Sequence, residues 1–217
     1  MVAIVTQTRV KICGITHPDD AKQAVADGAD ALGVVFYADS PRAVSVSQAR
    51  AVAEAAGPFV TLVGLFVNAE AEQVADILAQ VPIQLLQFHG SEEAKYCESF
   101  NRPYIKAIRM RPELDVEASM AQHPRALGFL LDAYRPGVPG GTGETFDWRR
   151  VPRETRQPII LAGGLTPNNV AQAIEATLAY GVDVSGGVEA APGRKDRHKV
   201  KMFIHNAKHT TGDRDGD

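Results

Sequence analysis

Cysteine is scarce in this chain: Cys13 and Cys97 are the only two in 217 residues. That is too few for a disulfide framework and fits a reducing compartment. No apolar run approaches a membrane span, and Met1 to Thr8 lack the apolar core of a signal peptide, so a cytoplasmic protein without membrane partners is expected. Neither sign of charge is in excess, with 23 Lys and Arg against 26 Asp and Glu and a net charge of −3. No basic stripe accumulates, which argues against a nucleic-acid or anionic-membrane surface. No Cys, His and carboxylate set has metal-ligand spacing, and no dinucleotide fingerprint follows the first strand, so neither metal nor cofactor is expected. Any anion must be met locally.

Glycine pairs are what the chain does have. From Pro158 an apolar strand runs into Gly163-Gly164, followed by Thr166-Pro167, which reads as a helix start; from Gly181 a second strand runs into Gly186-Gly187. Without a Cβ, the backbone there can take positive φ and turn its N–H groups around an anion, and a helix starting beside them adds partial positive charge. Two such turns side by side make a phosphate cradle.

Upstream, the same alternation repeats at roughly 25 residues, the size of one βα unit. Strands are expected at Val10–Gly14, Ala31–Phe36, Val60–Phe66, Ile83–Phe88, Tyr104–Ile108 and Leu127–Asp132. Helices are expected from Thr16 to Gly28, Ser45–Ala56, Ala69–Gln80, Ser91–Phe100, a weak one over Val116–Gln122, and a last one over Lys195–Ala207. The strands are continuously apolar rather than alternating, as strands covered on both faces are. A glycine-rich loop from Tyr134 to Thr145 has the character of a lid. Residues 1–9 read as a leader, 10–208 as one catalytic domain, and 209–217 as a disordered tail.

Eight strands alternating with helices give either a single-domain (β/α)8 TIM barrel or a doubly wound open sheet. The barrel is preferred because Cys13, His89, Arg109, Asp132 and both glycine pairs sit at strand ends, which a barrel gathers on one rim.

Cys13 closes strand one, with Gly14 leaving backbone room beside it. A thiol with a pKa near ~8.5 serves as a proton acceptor once nearby positive charge raises its thiolate fraction. Buried core packing is the alternative, and it is the reading for Cys97, which lies inside a helix. Asp132 ends a wholly apolar strand, where partial desolvation would push its carboxyl toward the range of a general acid; capping the following loop is the alternative. Arg42 offers a forked donor set to a carboxylate or phosphate. His89 and Arg109 are read either as ligand contacts or as structural groups.

Taken in order, Lys11 to Thr16, Phe36 to Arg42, Leu86 to Gly90, Leu131-Asp132, Gly140 to Gly143 with Phe146 to Trp148, Leu161 to Val170 and Asp183 to Glu189 resemble the phosphoribosylanthranilate isomerase family. The resemblance spans Val10 to about Ala207. It implies a small phosphoribosyl substrate, a monomer or homodimer, and the third pathway-specific step of tryptophan biosynthesis. That step is the Amadori rearrangement of N-(5-phosphoribosyl)anthranilate to 1-(2-carboxyphenylamino)-1-deoxyribulose 5-phosphate. It further implies Cys13 as general base, Asp132 as general acid, Arg42 at the anthranilate end, and Gly163, Gly164, Gly186 and Gly187 at the phosphate.

The sequence departs from the family at Gly186, where a second serine is usual, and at Ala190-Ala191, where serines are common. A missing hydroxyl donor costs on the order of 1 kcal/mol, so somewhat weaker substrate binding is expected. Two alternatives are weighed against this reading. One is the related aldose–ketose isomerase of histidine biosynthesis, which resembles this chain but uses aspartate in both catalytic positions. The other is a phosphosugar-binding barrel without catalysis.

Overall fold

Strands that are apolar at nearly every position need cover on both faces, and a ring of strands inside a ring of helices supplies it. In the computed structural model, which describes residues 7–134 and 145–210, eight parallel strands follow one another around a closed barrel. They are β1 (Arg9–Cys13), β2 (Ala31–Val35), β3 (Thr61–Phe66), β4 (Leu85–Phe88), β5 (Tyr104–Met110), β6 (Gly128–Ala133), β7 (Ile159–Leu161) and β8 (Gly181–Val184). The ladder from β8 back to β1 closes the ring and excludes the open sheet.

Among the described residues seven α-helices accompany these strands: α1 (Pro18–Ala26), α2 (Val46–Ala56), α3 (Ala71–Gln80), α4 (Ala94–Glu98), α5 (Val116–Ala121), α6 (Val170–Thr177) and α7 (Arg197–His209). After β8 the chain forms a 3-10 turn over Gly186–Val188 and a small antiparallel hairpin, β9 (Glu189–Ala191) with β10 (Arg194–Lys195). No helix among the described residues is long and apolar enough to cross a membrane. Most of the expected leader and tail, and positions 135–144 of the glycine-rich loop, lie outside the described residues.

Alternation along the strands divides the core. Ile12, Leu32, Phe66, Phe88, Phe129 and Leu161 belong to one large buried cluster with residues of the helices, such as Val52, Ile174 and Phe203. Two small clusters are separate from it: Cys13, Val35 and Leu65, and Ala107, Leu130 and Ala162. Other buried positions of that phase hold apolar Val63 and Ile105 and polar Lys11, Gln87, Asp132 and Asp183. Those four polar side chains share the inward face of their strands.

The starts of α3 and α7 fall two residues later than expected, at Ala71 and Arg197; those of α4 and α6 move because a side chain takes the backbone N–H groups first. Glu92 is buried and accepts from the N–H groups of Asn68 and Gly90 and from Lys106 Nζ, so α4 begins only at Ala94 rather than Ser91. Asn169 Oδ1 accepts the Thr166 N–H at 2.7 Å, and its amide donates to the Gly164 carbonyl at 3.0 Å. That side chain closes the turn after the first glycine pair, and α6 begins at Val170 rather than at Pro167.

Candidate active site

The ends of β1, β2, β3, β4, β6, β7 and β8 surround a cavity of about 270 Å³. Period-two alternation puts the last inward residue of each strand, or the residue just past it, on the cavity wall. Cys13, Arg42, His89, Asp132, Gly163, Gly164, Gly186 and Gly187 all line it, so the barrel brings together every expected site residue. Arg109, on β5, does not line it; its Nη2 lies 3.4 Å from the His89 carbonyl.

Cys13 is buried, and burial is the largest influence on its thiol, pushing it above the ordinary range. Lys11 pulls in the opposite direction, Asp183 adds to the rise, and Lys195 lowers it. The Lys11 ammonium donates to Asp183 Oδ1 at 2.7 Å. Burial alone would pull that ammonium down, but the Asp183 carboxylate and the Cys13 sulfur hold it above its usual value. Cys97 is a fully buried core residue, as expected, and burial pushes its thiol up to about 12.

Facing Cys13 across the cavity is a chain of polar contacts. Gln87 Nε2 lies 3.0 Å from His89 Nδ1, and His89 Nε2 lies 3.1 Å from Asp132 Oδ2. His89 thus touches the Asp132 carboxyl directly.

Arg42 is not a free fork. Its Nε and Nη2 each donate to a Glu189 carboxylate oxygen at 2.8 Å, and Lys195 Nζ reaches the same carboxylate at 3.0 Å. Burial alone would raise Glu189, but Arg42 and Lys195 together hold its carboxyl below the usual carboxylate range. The loop after β2 is thereby fastened to the hairpin after β8.

The two glycine pairs are built differently. Gly163 and Gly164 have φ of 79° and 64°, the left-handed conformation expected of them. Gly186 and Gly187 have no positive φ; they open a 3-10 turn, and Gly187 is required by closeness instead. A Cβ at Gly187 would lie 1.9 Å from the Leu165 carbonyl oxygen, so the second turn packs directly on the first. Just before the second pair, Ser185 Oγ is buried with no hydrogen-bond partner among the described residues, and it lies close to Gly14 after β1. Lys11, Gln87, Asp183 and Ser185 were not singled out from sequence; period two counted back from Cys13 reaches Lys11 and would have flagged it.

This barrel, with its polar groups gathered at the ends of the strands, places the chain in the class of (β/α)8 enzymes that work at the C-terminal face. The comparisons with known proteins narrow the class. A family model described as N-(5'phosphoribosyl)anthranilate (PRA) isomerase matches residues 10–206. The N-(5'-phosphoribosyl)anthranilate isomerase of Cellvibrio japonicus is 68% identical over 195 residues, covering 90% of this chain and 91% of its own. The crystal structure of phosphoribosyl anthranilate isomerase from Thermotoga maritima superposes with a TM-score of 0.85 at 41% identity, covering 92% of this chain and 98% of that one. A phosphoribosyl anthranilate isomerase in complex with reduced 1-(o-carboxyphenylamino)-1-deoxyribulose 5-phosphate gives a TM-score of 0.79 at 39% identity, with the same coverage. The chain belongs to the N-(5'-phosphoribosyl)anthranilate isomerase family. It is an isomerase of tryptophan biosynthesis, which decides against both the histidine-pathway enzyme and a barrel without catalysis.

Proposed function

We propose that Cys13 and Asp132 perform the family's rearrangement of N-(5-phosphoribosyl)anthranilate as general base and general acid. The observation that carries this reading is their convergence on one cavity from β1 and β6, with both glycine turns on the same wall. Asp132 protonates the ribose ring oxygen, the C1′–O bond breaks, and the anthranilate nitrogen takes up the positive charge as a Schiff base. Cys13 then removes the proton from C2′. The C–H electrons form the C1′–C2′ double bond of an enolamine, which tautomerises to the ketone. Each positioned proton transfer contributes about 10²–10⁴ in rate.

The remaining groups orient the substrate. Backbone N–H groups of the two glycine turns hold the phosphate, and Ser185 Oγ offers the hydroxyl that Gly186 lacks. Arg42, with Nε and Nη2 held by Glu189, keeps Nη1 for the anthranilate carboxylate. His89 holds the Asp132 carboxyl against the ring oxygen. Grip on the distant phosphate orients the reacting carbons, so binding energy made away from the chemistry lowers its barrier.

The test is a pair of substitutions measured separately for turnover and binding. Cys13→Ala and Asp132→Asn should each lower kcat by about 10²–10⁴ while a phosphorylated product analogue still binds. Turnover near the unsubstituted level in either variant would refute that residue's role.

A further inference from the structure

A buried ion pair inside the barrel has no part in the chemistry just described. Lys11 and Asp183 are register partners across the β1–β8 seam, and their side chains are 7% and 9% exposed. Asp183 lines the cavity and Lys11 does not, so the ammonium lies beneath the wall. Lys11 also stands two residues before Cys13 on β1, on the same face of the strand. Their side chains meet over Gly33 on β2: a Cβ there would lie 2.7 Å from Cys13 Sγ and 3.1 Å from Lys11 Cε. The missing side chain at Gly33 is what makes room for thiol and ammonium together.

A buried ion pair is a weak source of stability, because desolvation offsets most of the attraction, and apolar residues of similar volume would fill the space as well. A lysine here needs another reason. We propose that Lys11 is the positioning residue for proton abstraction: its ammonium, anchored by Asp183, faces the Cys13 sulfur and stabilises the thiolate that accepts the C2′ proton. The inference rests on the base role assigned to Cys13 above. With the thiolate formed, the cluster of Lys11, Asp183 and Cys13 carries one net negative charge; after the proton passes from C2′ to sulfur it is neutral, and Lys11 keeps its own protons throughout.

The charged groups around the thiol make the proposal specific. Lys11, Asp183, Lys195 and Arg42 all interact with it, Glu189 pairs with the last two and leaves that group one net positive charge, and His89 and Asp132 also line the cavity. Lys11 and Asp183 act on the sulfur with opposite signs, and Lys11 has the larger effect. General disruption of the barrel would not reproduce that pattern.

The experiment titrates Cys13 in the purified full chain by thiolate ultraviolet absorbance, as the difference from Cys13→Ala so that Cys97 and the tyrosines cancel. Lys11→Met should move the transition up by about one unit, a tenfold loss of thiolate at a given pH, and Asp183→Asn should move it down. Lys11→Arg, which keeps the charge, should restore part of the shift. The acid limb of kcat/KM should move up with Lys11→Met while kcat at high pH recovers. An unmoved titration, both single variants shifting the thiol the same way, or a loss of kcat/KM equal at every pH would each overturn the proposal. Should Lys11→Met not fold, Lys11→Met/Asp183→Asn leaves no unpaired charge, and there the thiol must still titrate higher than in the parent chain; an unchanged value is a refutation. Because the titration needs no substrate, failure of the base role shows up separately, as full turnover in Cys13→Ala.

Discussion

Gly187 is held to glycine by the carbonyl that faces it. The oxygen of Leu165 leaves no room for a methyl group, and that oxygen is main chain that cannot swing aside. Gly187→Ala is therefore expected to push the two glycine turns apart, lowering stability by about 1–3 kcal/mol and, if they hold the phosphate as proposed, raising KM more than it lowers kcat, as thermal melts and steady-state kinetics will show. A variant with unchanged KM would mean that the turns do not act together. Sequence reasoning found both glycine pairs but gave them one explanation; the second pair answers to a neighbour 22 positions away along the chain, which no local pattern reveals. The same is true of Arg42. Its loop and forked donors are visible in the sequence, but its carboxylate partner is 147 residues away. Cys13 and Asp132, in contrast, were legible because each interrupts an apolar run at the point where the run ends.

Among the elements, the hairpin of β9 and β10 is the piece with the widest reach. Glu189 on β9 holds Arg42 from the loop after β2 and Lys195 from β10, while the Lys195 N–H binds Asp20 of α1 at 3.0 Å. Removing the carboxylate leaves a nearly buried Lys195 unpaired, which costs about 3–5 kcal/mol where such pairs are broken on one side. Glu189→Gln is expected to melt earlier at neutral pH. The folded protein holds this carboxyl below its ordinary range, so its contribution is fully present above the unfolded-state pKa of about 4.5 and fades as pH falls through the lower folded value. The gap in melting temperature between parent and variant should therefore narrow in acid; a gap that stays constant would contradict the assignment. Strand positions were legible at this scale because continuous apolar runs demand double cover. Helix starts were less so: Glu92 and Asn169 carry residue types that suit a first turn, and each is committed to the loop before it.

For the whole molecule, the barrel interior is where function and stability pull apart. Replacing Lys11 and Asp183 together by apolar residues of similar size, as in Lys11→Met/Asp183→Leu, is expected to leave stability unchanged or raise it by about 1–4 kcal/mol. Turnover at neutral pH should fall in the same protein, by less than in Lys11→Met alone because losing Asp183 offsets part of the shift. Denaturant melts against kinetics decide the point, and a variant that loses both stability and activity would show the pair to be structural. The barrel itself was readable from eight apolar runs of one period, and the rim from where unusual residues fell. The polar interior was not, because a lysine inside a strand reads as an interruption until closure puts an aspartate beside it.

The seam between β1 and β8 joins residues 172 positions apart, and it is there that the ammonium meets its carboxylate. A ribosome making this chain emits the thiol's strand first and the two glycine turns near the end. A nascent protein that has folded three quarters of its strands can bury leucines and phenylalanines but cannot turn over a single sugar. Regain of turnover after dilution from denaturant should accordingly follow the slowest step of refolding, behind the recovery of helical signal.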